Sequence, residues 1–283
     1  MSEDDRTTAG RDAARERARA ARTREQARRR RNRTLGIGGV IVGGLAVAAV
    51  VTVVIATSVQ PAGPGPRNMA SDGILLHGVD GEIVPVTTGA TPDGGSPTPT
   101  RQDDRVSNIT VYADYMCPYC NQFETSQMPQ VEQWVEDGAA TLELHPFSRL
   151  DRVSLGSRYS TRSAAAAACV ADRDPDAFLA FNTALYADQP SEYTRGLSDD
   201  ELVSLARKAG ATSGAVASCI TGQRFAGWVG DASDRVLTRA VPNSSLDRVT
   251  STPTIIVNGA QYTGSLTDTD AFAAFVRRHG GAA

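Results

Sequence analysis

Cys117-Pro118-Tyr119-Cys120 is the sharpest chemical signal in this 283-residue chain. A thiolate is the attacking species in thiol–disulfide exchange. Two intervening residues let the second sulfur reach the first, so a mixed disulfide can be resolved from within. The same pair could be half of a zinc site, which needs further ligands. Cys169 and Cys219 have no nearby His or Cys, and His77, His145 and His279 are scattered. An inert structural disulfide is the third reading. Redox exchange is favoured, and it requires no metal and no bound cofactor.

Chemistry of that kind needs a strand to end and a helix to begin at the pair. Val106 to Tyr115 is rich in Val, Ile, Thr and Tyr, which predicts a strand. Pro118 suits the first turn of a helix. Cys117 then sits at a helix N-terminus, where unpaired amides and the helix dipole favour a thiolate. That helix continues through Phe123, with a bend expected at Pro129, towards Trp134 and Gly138. Thr141 to Phe147 is a second strand. A helical stretch of about 85 residues, 156–240, follows, with a capping box at Ser198 and Glu201. Thr254 to Val257 is a strand, and Asn258-Gly259 is a strong hairpin signal leading to Gln261-Tyr262. A last helix, capped by Thr267, ends at Gly280. The predicted fold is α/β: a parallel βαβ unit, a helical insertion, then an antiparallel ββα unit, in one sheet with helices on both faces. Phe123, Trp134 and Trp228 are candidate core residues, and His145 before Pro146 reads as a strand-end residue.

Residues 106–283 resemble a thioredoxin-fold thiol:disulfide oxidoreductase of the DsbA type. The matching pieces are VYADYMCPYCNQFE, the helical insertion, STPTIIVNG and the final helix. The resemblance is greatest to the membrane-anchored, extracytoplasmic DsbA-like proteins of actinobacteria. It implies that Cys117 is the nucleophile and Cys120 the resolving thiol. It also implies that Pro253 is cis and faces the Cys117 sulfur, with the Thr252 backbone pairing to an extended substrate. Local sequence alone predicts a trans bond there. Tyr119, beside the thiol, is a candidate substrate contact. RSAAAAACVAD and SCITG resemble stretches that carry an additional disulfide in that group, here Cys169 with Cys219; two reduced buried thiols or a second redox relay are the alternatives. Two departures bear on chemistry. DsbA proteins often carry His between the two cysteines, where this chain has Tyr119. The buried acid that thioredoxins place six residues before the first Cys is here Val111, which leaves Asp114 as the nearest acid, a proton relay or a plain strand-end carboxylate.

Charge divides the rest of the chain. Residues 1–33 hold twelve Arg and six acidic residues, while the whole chain has a net charge of −3. A basic head (1–34) is thus joined to an acidic body. Leu35 to Val59 is a run of 25 uncharged residues, long enough for one transmembrane helix and longer than a signal-peptide core. Arg28 to Arg31 and Arg33 precede the span, and Arg67 alone follows it closely, so the positive-inside rule puts the N-terminus in the cytoplasm and the body outside. Topology and attraction to anionic lipid explain the Arg-rich head more simply than a nucleic-acid arm. Residues 60–105 read as linker with a possible hairpin about Val79-Asp80-Gly81.

The expected function is a tethered, extracytoplasmic oxidoreductase that passes disulfides to exported proteins with reduced cysteines. The resemblance implies an integral-membrane, quinone-linked partner that recharges it. A reductase or isomerase is the rival within the enzyme class. A non-catalytic tether that binds extended peptides is the rival outside it.

Overall fold

The computed structural model describes residues 63–280. The basic head and the expected anchor at 35–59 lie outside the described residues, and no helix among the described residues is long and apolar enough to cross a membrane.

The chain enters through two short strands, β1 (Ile74–Val79) and β2 (Glu82–Pro85). Asp80 and Gly81 between them have φ of +54° and +81°, the paired left-handed turn that an Asp-Gly dipeptide accommodates. The sequence suggests a hairpin within a linker, whereas in the structure the hairpin belongs to the main sheet. β1 pairs antiparallel with a later strand and so extends the main sheet.

β3 (Ser107–Ala113) leads into α1 (Pro118–Glu136), and β4 (Ala140–Pro146) returns parallel to β3. A parallel return needs a crossover, and α1 supplies it. One helix runs on through Pro129. Five helices follow: α2 (Tyr159–Arg173), α3 (Phe178–Ala187), α4 (Asp199–Lys208), α5 (Gly214–Thr221) and α6 (Ala226–Thr238). The capping box at Ser198 and Glu201 opens α4, with both reciprocal hydrogen bonds present. β5 (Thr254–Val257) then pairs antiparallel with β3, and β6 (Ala260–Tyr262) with β5. The last helix is α7 (Thr269–His279). Its N-cap is Asp268 rather than Thr267, and the carboxylate accepts the Ala271 N–H.

The six strands lie in the order β2-β1-β4-β3-β5-β6. Alternation along β3 divides the core. Ile109 and Val111 join Phe123, Val131 and Val135 of α1 and Phe272 and Val276 of α7 on one side. Tyr112, Ile256 and Phe147 meet Val241 and Val249 on the other. Phe123, Trp134 and Trp228 pack in or against the larger cluster. Cys169 of α2 and Cys219 of α5 form a disulfide with Cα atoms 5.8 Å apart.

A strap before β1 is stitched to the helical block. Arg67 donates to Asp172 at the end of α2, Asn68 to the Ala171 carbonyl, and Arg235 of α6 holds Asp72 through two bonds of 2.7 and 2.8 Å.

Candidate active site

Cys117 is the N-cap of α1, in extended backbone conformation, and its side chain makes no cap of its own. Cys117 and Cys120 are both free thiols, almost fully buried. The segment ahead of them is pinned from three directions. The Cys117 N–H donates to the Asp114 carbonyl at 3.0 Å. Asp114 itself is wholly buried: one carboxylate oxygen accepts the Met116 N–H, and the other accepts the N–H groups of Arg149 and Leu150. The side-chain amide of Gln189 donates to the carbonyls of both Tyr115 and Cys117, each at 3.0 Å.

Across from the pair lies the loop before β5. The Thr252–Pro253 peptide bond is cis, unlike the trans bond that local sequence predicts. The Cys117 Sγ lies 3.3 Å from the Thr252 carbonyl oxygen, and the Cys120 Sγ 2.8 Å from the Thr252 hydroxyl. Arg149 donates to the Thr250 carbonyl, so one loop after β4 is tied both to Asp114 and to the loop carrying Thr252. Tyr119 is 60% exposed beside the thiols.

The two sulfurs are electrostatically unequal. The Cys120 thiol donates to the Cys117 sulfur, and the N–H groups of Cys120 and Tyr119 add to this, so the Cys117 thiol is lowered despite its burial. Burial, and the hydrogen bond it gives to Cys117, push the Cys120 thiol well up. A nucleophile and a buried partner that holds its proton are what an internal resolving step requires.

Asp114 touches neither sulfur through its carboxylate. Its role is to join the end of β3 to the loop after β4, and burial raises its pKa. His145 is buried and stacked on Tyr112, with ring centroids 4.3 Å apart, away from the thiols.

Two residues near the pair carried no weight in the sequence. Gln189 is 72 residues from Cys117 in a loop without a motif, so nothing local could have found it. Glu124 could have been found, because four residues along a helix from Cys120 is one turn. It is buried, accepts hydrogen bonds from Asn182 and Thr183, and burial raises its pKa to about 7 from 4.5. The fold therefore favours the neutral carboxyl. Stability should fall as pH rises from about 4.5 through about 7, by about 3 kcal/mol, and level off above that. Glu124→Gln should flatten this slope and stabilise the protein at pH 8. Denaturant unfolding at pH 5 and pH 8 reads the difference; equal slopes in both proteins would refute it.

A family model described as thioredoxin matches residues 104–277. The reduced crystal structure of DsbA from Mycobacterium tuberculosis is 29% identical, with a TM-score of 0.56 over 74% of this chain and 92% of that one. The reduced disulfide bond oxidoreductase DsbG from the same organism is 32% identical, with a TM-score of 0.52 over 61% of this chain and 77% of that one. BdbD from Bacillus subtilis, at 19% identity and a TM-score of 0.53 over 78% of this chain and 98% of that one, shares the fold. Among curated proteins, the serine/threonine-protein kinase PknE of Mycobacterium tuberculosis is 34% identical over 118 residues, 40% of this chain. The match spans 21% of the kinase's length. With the strand–helix junction at Cys117, the opposing Thr252 loop and the βαβ–ββα sheet in place, the chain belongs to the thioredoxin family.

Proposed function

We propose that this thiol–disulfide oxidoreductase of the DsbA type runs in the oxidising direction, outside the cytoplasm, on exported proteins with reduced cysteines. The observation that carries the direction is the inequality of the two sulfurs: a Cys117 thiol held low at a helix N-terminus stabilises the reduced enzyme and so makes the disulfide a better oxidant.

A substrate thiolate attacks the Cys117 sulfur of the Cys117–Cys120 disulfide. The bond between the two enzyme sulfurs breaks, and Cys120 leaves as a thiolate that takes up a proton. A second substrate thiolate then attacks the substrate sulfur of the mixed disulfide and expels the Cys117 thiolate. Two electrons have passed to the enzyme pair, and the substrate carries the disulfide. The Thr252 backbone beside Cys117 is the edge on which an extended substrate pairs, and exposed Tyr119 offers it an aromatic contact. An integral-membrane, quinone-linked partner removes the two electrons. Residues 35–59 anchor the protein, with residues 1–34 in the cytoplasm.

Tyr119 supplies no cation near the thiolate, which favours a milder oxidant than a dipeptide His would give. The expected potential lies between about −270 mV, as in thioredoxin, and about −120 mV, as in the most oxidising DsbA. Equilibration of the full chain with glutathione buffers measures it. A potential as low as thioredoxin's would transfer the reading to a reductase. A reporter fused after Ala283 should be active only outside the cytoplasm; activity of a cytoplasm-only reporter there would overturn the topology.

A further inference from the structure

Gln189 stands in the loop after α3, yet its side chain closes on the active-site turn. Its Nε2 donates to the carbonyl oxygens of Tyr115 and Cys117, each at 3.0 Å. Its Oε1 accepts the side-chain amide of Asn121 at 3.2 Å, and that amide also donates to the Tyr186 carbonyl at 3.0 Å. Both ends of the carboxamide are used, donor towards carbonyls and acceptor towards an amide. Tyr115 precedes α1, Cys117 is its N-cap and Asn121 ends its first turn. One side chain from the helical insertion thus grips the chain on both sides of the Cys117–Cys120 pair.

The grip falls where it decides the direction of a sulfur. The Cys117 carbonyl also accepts the N–H groups of Cys120 and Asn121, at 3.1 and 3.2 Å. The Cys117 N–H is held by the Asp114 carbonyl. With the N–H fixed on one side and the carbonyl on the other, both backbone dihedrals of Cys117 are fixed, and so is its Cα–Cβ bond. That bond aims the sulfur at the N–H groups of Cys120 and Tyr119, which favour the thiolate.

We propose that Gln189 is a positioning residue for thiol–disulfide exchange: its carboxamide fixes the Cys117 backbone so that the sulfur stays in front of the N–H groups of Tyr119 and Cys120. Gln189 bonds neither sulfur and acts through the N-cap. A negative sulfur gains from the helix N-terminus only while it faces those donors. Holding it there stabilises the thiolate, and with it the reduced enzyme, and so makes the disulfide a stronger oxidant. The helical insertion thereby tunes the reactivity of a residue on the sheet's own crossover helix. The proposal rests on Cys117 being the attacking thiol; it does not depend on which proteins are oxidised or on what recharges the pair.

Gln189→Ala and Gln189→Glu in the full-length protein in detergent micelles provide the test. Alanine removes the grip. Glutamate keeps the shape but, ionised, has no donor for either carbonyl and adds a negative charge near the thiolate. The pH dependence of iodoacetamide alkylation of the reduced protein, followed by mass, reads the Cys117 thiolate. Its acid dissociation constant should fall about threefold in Gln189→Ala, within the worth of a neutral hydrogen bond, and about tenfold in Gln189→Glu. The glutathione equilibrium should shift by the same factors towards oxidised protein, about 15 and 30 mV at about 30 mV per tenfold. Asn121→Ala, which frees only the Oε1 end, should shift both readouts less, and should add nothing to Gln189→Ala. A side chain that merely braces its loop would lower the unfolding temperature and leave both readouts unmoved, and that result would overturn the proposal. Fully additive shifts from Asn121→Ala and Gln189→Ala would overturn it as well. Should the Gln189 variants fold poorly, Asn121→Ala alone decides: unmoved readouts there count against the grip. Alkylation of the wild-type protein at Cys120 in place of Cys117 would instead overturn the assignment of the nucleophile, and the positioning role with it.

Discussion

Cys117→Ser is expected to slow oxidation of a reduced peptide by at least about three orders of magnitude, because a hydroxyl neither ionises near neutral pH nor forms the mixed disulfide. The fold should survive, since the carbonyl of Cys117, not its sulfur, receives the Gln189 clasp. The partner cysteine gives the sharper test. The hydrogen bond from the Cys120 thiol is the largest single influence lowering Cys117. Removing it in Cys120→Ala should raise the pH at which Cys117 ionises, seen as a shift of the thiolate absorbance midpoint to higher pH. Cys120→Ser keeps a donor and should shift it less. Both should accumulate a mixed disulfide when given a peptide that already carries a disulfide: Cys117 attacks it and expels one peptide thiolate, and no Cys120 thiol remains to resolve the product. Residual exchange in Cys117→Ser near the wild-type rate, or a midpoint unmoved in Cys120→Ala, would remove Cys117 from the nucleophile's role.

The second large effect concerns stability. The Cys169–Cys219 bond spans a sequence separation of 50 residues and joins α2 to α5 inside the helical block. Loop-closure entropy for a ring of that size is worth about 4 kcal/mol. Cys169→Ala with Cys219→Ala should therefore lower the unfolding temperature by on the order of 10 °C. Alanine is chosen because both positions are buried and a serine hydroxyl would add its own desolvation cost. Peptide oxidation at a temperature where the double variant is folded should remain near wild type. An intact melting temperature with lost activity would point to a redox relay through this pair.

Local signals in the sequence carried much of the sheet. Asp80-Gly81 and Asn258-Gly259 both adopt positive φ at the two turn positions, as such dipeptides should. Pro118 opens α1, and Thr254–Val257 is a strand with the predicted bounds. What local pattern lacks is the identity of a partner far along the chain. β1 pairs with β4, some seventy residues on (Leu75 faces Glu143), and nothing in the ILLHGV segment names that partner. The same holds at the active site. The Cys pair is legible from spacing, and Thr252-Pro253 only through family resemblance. Gln189 is legible from neither, because one side-chain amide reaching two carbonyls leaves no period and no motif. Glu124 hides for a different reason: an acidic residue on a helix reads as a solvated face until its neighbours are known to bury it.

The long separation between Cys117 and its opposing loop also has a consequence in time. Thr252 follows Cys117 by 135 residues. At synthesis rates of about 5–20 residues per second, the thiols emerge roughly 7 to 27 seconds before the loop that faces them. During that interval the chain presents Cys117 and Cys120, then Cys169, then Cys219, to an unfinished fold. Four cysteines can pair in three ways. With the active-site pair oxidised, the native set joins the first to the second and the third to the fourth, in order of appearance. Each correct partner is thus the next sulfur to arrive, and chain growth itself works against crossed pairing.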